Sequence, residues 1–264
     1  MTIFQAAAMG IIQGLTEFLP VSSSAHLILA PRVFGWDDPG LAFDVALHLG
    51  TLAGVLAYFR KDLWTLANQA FLNKDNQASS ARSLILAIAL ATMPGGIAGL
   101  LLEHKVESIF RSPALIAGTL IAIGFLMAIA DRFGKGEKGL PQLTLRDAML
   151  IGLAQCLALI PGVSRSGITI STALFLGFER TSAARFSFLL SIPIIAGAGL
   201  LKSPQIFHAH DPMLIVAGFL ASAVSGLGAI WILMKFIEQY RFTPYVIYRL
   251  VLGVAILLNL SRLG

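Results

Sequence analysis

The sequence predicts an all-α integral membrane protein: six transmembrane helices plus two re-entrant helical hairpins in an inverted repeat. Three observations predict it. Of 264 residues 56% are hydrophobic and only 12% are charged. Apolar runs of roughly 20 residues, enough to cross a bilayer, recur along the chain. Two further apolar stretches are each interrupted by a proline. Runs such as 84–102 and 213–234 carry no polar stripe, so they do not read as the amphipathic helices of a soluble domain.

Full spans are expected near 42–59, 84–102, 113–131, 184–202, 213–234 and 245–262. Two segments remain, 3–36 and 147–178, broken at Pro20 and Pro161 and continued through a Ser-rich turn. Neither half of either segment is long enough to cross comfortably. Treated as hairpins that leave on the side they entered, they let the loops be assigned alternately to two faces. One face receives Arg60, Lys61, Lys74, Arg82, Arg132, Lys135, Lys138, Arg146, Arg180, Arg185, Lys235 and Arg241. The other receives only Arg32, Lys105, Arg111, Lys202 and Arg262, so the positive-inside rule places the first group in the cytoplasm and both termini outside.

The chain reads as a single membrane domain, 1–264, with internal repeats over about 1–102 and 147–234. Gln13-Gly14-Leu15 leading to Leu19-Pro20-Val21-Ser22 parallels Gln155-Cys156-Leu157 leading to Ile160-Pro161-Gly162-Val163-Ser164. Phe43 to Gly54 matches Phe186 to Gly197 at equal spacing. Because the second copy enters from the opposite face, the pattern is that of an inverted repeat whose discontinuous helices meet near the midplane and make the site.

Several classes are set aside. Met1-Thr2-Ile3-Phe4-Gln5 lacks the positive region of a signal peptide, so the first segment is expected to be retained. A single cysteine, Cys156, supports neither a disulfide nor a thiolate metal site and reads as a packing residue. The net charge of +5 is scattered through short loops without interleaved aromatics, which excludes a nucleic-acid partner and fits membrane orientation. The partners are membrane lipids, and a homo-oligomer is compatible with this reading.

Polar side chains inside the membrane are costly, roughly 2.5–3.5 kcal/mol for a charge at the helix centre, and therefore mark sites. Gln13, Glu17, Ser22, Ser23, Ser24 and His26 surround the first break; Ser164, Arg165, Ser166, Thr169, Ser171 and Thr172 surround the second. Gln13 and Glu17 share one helix face. Ser22 or Ser23 can cap a new helix after Pro20, and Ser164 after Pro161-Gly162, leaving free N–H groups that attract phosphate. Arg165, with Ser164, Ser166 and Gly167, adds a guanidinium fork for phosphate oxygens. His26 lies one turn after Ser23, so a serine or a histidine attack on phosphorus is chemically complete. Asp44 and His48 form another polar pair, able to line the pocket, bind a cation or support His26.

The plainer readings are packing for the serines and a structural buried pair for Glu17 and Arg165. His48 reads as a satisfied helix histidine more than a ligand, Arg249 as an anchor near its membrane face, and Gln155 as a helix-to-helix hydrogen bond.

Gln13-Gly14-Leu15-Thr16-Glu17-Phe18-Leu19-Pro20-Val21-Ser22-Ser23-Ser24-Ala25-His26 and Pro161-Gly162-Val163-Ser164-Arg165-Ser166-Gly167-Ile168-Thr169 closely resemble the bacitracin-resistance type of undecaprenyl-diphosphate phosphatase. The similarity extends through Phe43-Asp44-Val45-Ala46-Leu47-His48-Leu49-Gly50-Thr51-Leu52 and Ile247-Tyr248-Arg249. The resemblance implies hydrolysis of a polyprenyl diphosphate at the bacterial cytoplasmic membrane, in a pocket open to the outer face, to recycle the lipid carrier of cell-wall synthesis. It implies an acidic motif at Gln13 and Glu17, a Ser/His motif at Ser23 and His26, and an arginine motif at Ser164, Arg165 and Ser166. Glu17, Ser23, His26 and Arg165 are then the catalytic set; Gln13, Ser22, Ser24, Ser164, Ser166, Gly167 and Thr169 bind substrate. Stimulation by a divalent cation, Mg or Ca, comes with the family, and Glu17 and Asp44 are its candidate ligands.

Gln13 departs from the family's common second glutamate and cannot be a base or an anionic ligand, so Glu17 carries that role, helped by Asp44. Ala25 stands where Gly is frequent. A second lipid phosphatase class needs a histidine after its Ser-Arg segment; none follows Arg165 until His208, which sets that class aside. The competing function is a transporter or flippase of an anionic lipid, since broken helices in inverted repeats are also transporter architecture.

Overall fold

The computed structural model describes residues 1–38, 40–72, 76–108, 112–207 and 211–263; Lys74, Arg111 and His208, used above, lie outside the described residues, as does the Lys105 side chain. Among the described residues ten helices carry the fold: α1 (Ile3–Phe18), α2 (Ser23–Phe34), α3 (Leu41–Leu72), α4 (Asn76–Ser108), α5 (Pro113–Phe133), α6 (Leu145–Gln155), α7 (Arg165–Phe175), α8 (Arg180–Phe207), α9 (Pro212–Phe236) and α10 (Thr243–Leu258). Short 3₁₀ turns at Leu140–Gln142 and Cys156–Leu159 and a last helical turn, Leu260–Leu263, complete them.

Five stretches, Ala42–Leu72, Ala78–Leu102, Pro113–Phe133, Arg180–Lys202 and Pro212–Phe236, are long and apolar enough to cross a membrane. The protein is a multi-pass, all-α membrane protein. The sixth expected span, 245–262, is instead the 16-residue helix α10 and a separate turn. At 1.5 Å per residue α10 is about 24 Å long, shorter than a hydrocarbon core of about 30 Å. The helices α3 and α4 run well past the expected 42–59 and 84–102, because a helix does not stop where the bilayer does. Nothing between Val55 and Leu72 is a proline or glycine that would end it.

The helix that brings Glu17 into the membrane is held by small residues. Gly10 and Gly14 of α1 lie against the stripe Gly218, Ser222, Gly226 of α9, so closely that a Cβ on either would collide with the Gly218 carbonyl or the Ser225 hydroxyl. Gly50 of α3 meets the Phe219 carbonyl on another side of α9 in the same way. Such contacts let backbones approach where lipid gives helices no hydrophobic reason to associate. Hydroxyls add to it: Ser222 donates to the Leu47 carbonyl at 2.7 Å and Ser225 to that of Gly10 at 3.4 Å. Fully buried Phe18 packs edge-on to Phe188 of α8 at 5.4 Å.

Charged contacts gather one end of the molecule. Arg180 pairs with Asp131 and Arg185 with Asp62, both at 2.5 Å. Asp131 also accepts the Phe242 N–H at 3.1 Å, and Lys138 stands 3.8 Å from Asp147. Loops assigned to one face by charge alternation are thereby brought together.

Candidate active site

Each break is built on a serine in a rare backbone conformation. The clash between a proline ring and the preceding residue pushes Leu19 (φ −64°, ψ 136°) and Ile160 (φ −81°, ψ 118°) out of the helical region. Ser22 follows Pro20 with φ 77° and ψ 91°, and Ser164 follows Pro161 with φ 72° and ψ 118°. They are the two non-glycine residues with positive φ among those described. Such a conformation costs about 1–3 kcal/mol and persists where its surroundings over-determine it. Here each serine caps the next helix, accepting from the Ala25 N–H at 3.5 Å or the Gly167 N–H at 3.2 Å. Each also meets a second hydroxyl two residues on, Ser24 or Ser166, at 3.2 Å.

Unwound backbone at membrane depth must find its partners within the protein. The Gly162 N–H donates to Ser22 Oγ at 3.2 Å, tying the breaks together. Thr119 donates to the Pro161 carbonyl at 2.7 Å. Arg249, fully buried, donates to the carbonyls of Pro20 (3.1 Å), Gly162 (2.7 Å), Val163 (3.1 Å) and Leu120 (3.3 Å). It is a clamp on both breaks, not the membrane-face anchor expected from its place in the sequence.

The first helical residue after each cap reaches the same carboxylate. Ser23 Oγ donates to Glu17 Oε2 at 2.6 Å, and Arg165 Nη2 to Glu17 Oε1 at 3.1 Å. Gln13 Nε2 also donates to Oε2, at 3.2 Å, and His48 Nε2 stands 3.8 Å from it. A carboxylate only 7% exposed is tolerable because a guanidinium and two neutral donors surround it. Arg165 Nη1 donates to the Ser187 carbonyl at 2.9 Å. Two polar atoms here are buried without a partner, Arg165 Nε and Gln13 Oε1.

The other expected site residues fall into two groups. Ser164, Ser166, Gly167 and Thr169 are buried scaffold: Ser166 leans on the Glu17 and Leu19 carbonyls, and Thr169 donates to the Arg165 carbonyl and meets the Ser187 hydroxyl. His26 is half-buried, but the expected pairing with Ser23 is replaced. Its Nδ1 faces the Ser22 carbonyl at 2.7 Å and its Nε2 the Tyr248 hydroxyl at 2.6 Å, while Ser23 bonds Glu17. His48 is the satisfied helix histidine expected, its Nδ1 meeting the Asp44 carbonyl at 2.7 Å, and its Nε2 also faces Glu17. Gln155, read as a helix-to-helix bond, has both amide atoms buried without a partner. Asp44 sits half-buried in the first turn of α3, one turn before His48. Tyr248 and the carbonyl-clamping role of Arg249 were missed; the only signal was their place in a motif late in the chain.

Among the described residues no three His, Cys, Asp or Glu side chains gather to hold a metal by themselves. Glu17 fits a cation only as one ligand completed by substrate oxygens, as Mg²⁺ is usually held. A cavity of about 320 Å³ lies elsewhere, at the charged end, lined by Asp131, Lys135, Glu179, Arg180 and Glu238; its mixed charges indicate no ligand. The breaks instead bring reactive groups together: a hydroxyl on a carboxylate stands beside a guanidinium with an unspent N–H.

The family model described as bacitracin resistance protein BacA matches residues 6–255. The chain belongs to this family. Its relatives in Geobacter sulfurreducens and Geobacter metallireducens, both named undecaprenyl-diphosphatase, are each 50% identical, over 97% and 98% of this chain and 98% of each relative. A Hahella chejuensis protein of the same name is 49% identical over 97% of this chain and 98% of its own. The match to the BacA family spans both breaks and extends past Arg249.

Proposed function

We infer that the protein is a membrane phosphatase that hydrolyses undecaprenyl diphosphate to undecaprenyl phosphate and inorganic phosphate, recycling the lipid carrier of cell-wall synthesis. The observation that carries the site is the convergence of Ser23 and Arg165, one from each break, on Glu17.

The lipid tail stays in the bilayer and the diphosphate enters between the breaks. Ser23 Oγ attacks the terminal phosphorus while its proton passes to Glu17, with which it is in contact. The bond from phosphorus to the bridging oxygen breaks, and undecaprenyl phosphate leaves with that electron pair. Arg165, using its unspent Nε–H, holds the equatorial oxygens in the transition state. Water then attacks the phosphoserine, inorganic phosphate leaves, and Ser23 regains a proton. His26, held by the Ser22 carbonyl, manages the proton of the water. A divalent cation, Mg or Ca, would be held by Glu17 together with substrate oxygens and would neutralise diphosphate charge; His48 stands 3.8 Å from the same carboxylate, with Asp44 one turn before it on α3.

The excess of basic residues on one set of loops supports placing that end in the cytoplasm, so that the breaks open to the outer face and both termini lie outside. The matched serine geometry supports reading 1–102 and 147–234 as inverted copies.

The test is phosphate release from undecaprenyl diphosphate by purified protein in detergent, with and without divalent cation, beside Ser23→Ala, His26→Ala and Arg165→Ala. Release that needs Ser23 and Arg165, with an acid-stable phosphoenzyme, supports this reading. An acid-labile phosphoenzyme would make His26 the nucleophile. Lipid transfer across vesicles without phosphate release would move the assignment to transport.

A further inference from the structure

The hydrogen bonds of His26 determine which of its nitrogens can act. Its Nδ1 lies 2.7 Å from the Ser22 carbonyl oxygen, and a carbonyl only accepts, so Nδ1 carries a proton. In the neutral ring the available lone pair is therefore on Nε2. That nitrogen faces α10, where the Tyr248 hydroxyl lies 2.6 Å away. The two rings also stack, with centroids 5.7 Å apart and planes 11° from parallel.

A hydroxyl is a partner of an unusual kind for such a nitrogen. It donates to Nε2 when the imidazole is neutral and accepts from Nε2–H when the imidazole is charged, so one contact is kept through both protonation states. Neither a carbonyl nor an ammonium could do this. Tyr248 is 44% exposed, so the hydroxyl is not held there by burial. The next residue is Arg249, whose guanidinium holds the Pro20 carbonyl two residues before Ser22. One turn of α10 thus braces the first break at its backbone and at its imidazole.

We propose that Tyr248 is a positioning residue for His26: with the Ser22 carbonyl holding the proton on Nδ1, its hydroxyl fixes the ring plane and keeps Nε2 as the reactive nitrogen throughout the cycle. The kinetic part rests on the phosphatase reading above; the tautomer does not. Tyr248→Phe keeps the ring and removes the hydroxyl, and Tyr248→Leu removes both.

The test has two arms. The first is ¹⁵N spectroscopy of histidine-labelled protein in detergent at mildly alkaline pH, with His26 assigned by loss of its signals in His26→Gln. The expected result is a protonated Nδ1 and a hydrogen-bonded, unprotonated Nε2, whose resonance moves toward the free-acceptor position in Tyr248→Phe. A protonated Nε2 in the wild type, or an Nε2 unmoved by Tyr248→Phe, overturns the proposal. The second arm is steady-state phosphate release. Tyr248→Phe is expected to lower kcat on the order of tenfold to a hundredfold, the usual cost of removing the partner that orients a functional histidine, with KM nearly unchanged. Tyr248→Leu should fall further, and Tyr240→Phe, in the turn after α9, should not change. Full kcat in Tyr248→Phe overturns the proposal, as does an equal loss in the two Tyr248 variants, which would credit the ring alone. A wild type without phosphate release would remove the phosphatase reading, while the spectra would still decide the tautomer.

Discussion

The two breaks share a backbone device and differ in what they mount on it. Counted from the capping serines, Ser22 corresponds to Ser164, Ser23 to Arg165, Ser24 to Ser166 and Gln13 to Gln155. Positive φ, the helix cap and the contact between hydroxyls two residues apart recur at both. The incoming helices then diverge. In the first, α1 stays helical to Phe18 and presents Glu17; in the second, α6 gives way to a 3₁₀ turn and the matching position is Leu159. Gln13 accordingly finds a carboxylate while Gln155 finds nothing. The strained turn is the common part, and the chemistry is divided: one break brings acid, hydroxyl and imidazole, the other the cation they need.

The largest effect expected from breaking this division is on catalysis. Either Ser23→Ala or Arg165→Ala should lower phosphate release on the order of a thousandfold or more, since in the proposed mechanism each meets the transferring phosphoryl. Comparable losses from both would sharpen the division; a mild Arg165→Ala would break it. Arg249→Met should come next, lowering stability on the order of 3 kcal/mol because carbonyls of both breaks lose their donor. Thermal unfolding in detergent reads this, and Arg249→Lys should recover only part, as one ammonium cannot match the guanidinium fork. Ser22→Ala and Ser164→Ala should each cost about 1 kcal/mol through the lost cap. Unequal costs in the same unfolding assay would show that the two turns are not equivalent. The smallest effect is at Gln155: Gln155→Met should leave the unfolding midpoint unchanged or raise it, because an unpartnered buried amide is replaced by an apolar side chain of similar size. A clear drop would mean that the amide has a partner.

Much of this was legible beforehand. Pro20 and Pro161 within apolar stretches marked both breaks, because a proline removes a donor and forces its predecessor out of the helix. Glu17 and Arg165 stood out because charge in hydrocarbon is expensive. The contact between Ser23 and Glu17 did not, since it reaches back across a turn whose path depends on a positive φ that serine rarely adopts. The spacing of Ser23 and His26 suggested a pair one helical turn apart, yet the cap turns the imidazole toward Tyr248, 222 positions away. Arg249 was illegible for a different reason: its acceptors are backbone carbonyls, which every residue has, so no side chain advertises them.

The Arg249 clamp also sets an order on the making of the protein. The break carbonyls it joins belong to residues 20, 162 and 163, and the guanidinium arrives with α10. A ribosome that has delivered both breaks to the membrane has not yet delivered the group that satisfies their unwound backbone. The nascent chain therefore carries its first turn unfinished while residues 21–248 are made and its second while residues 164–248 are made, and the site is completed only as α10 enters the bundle.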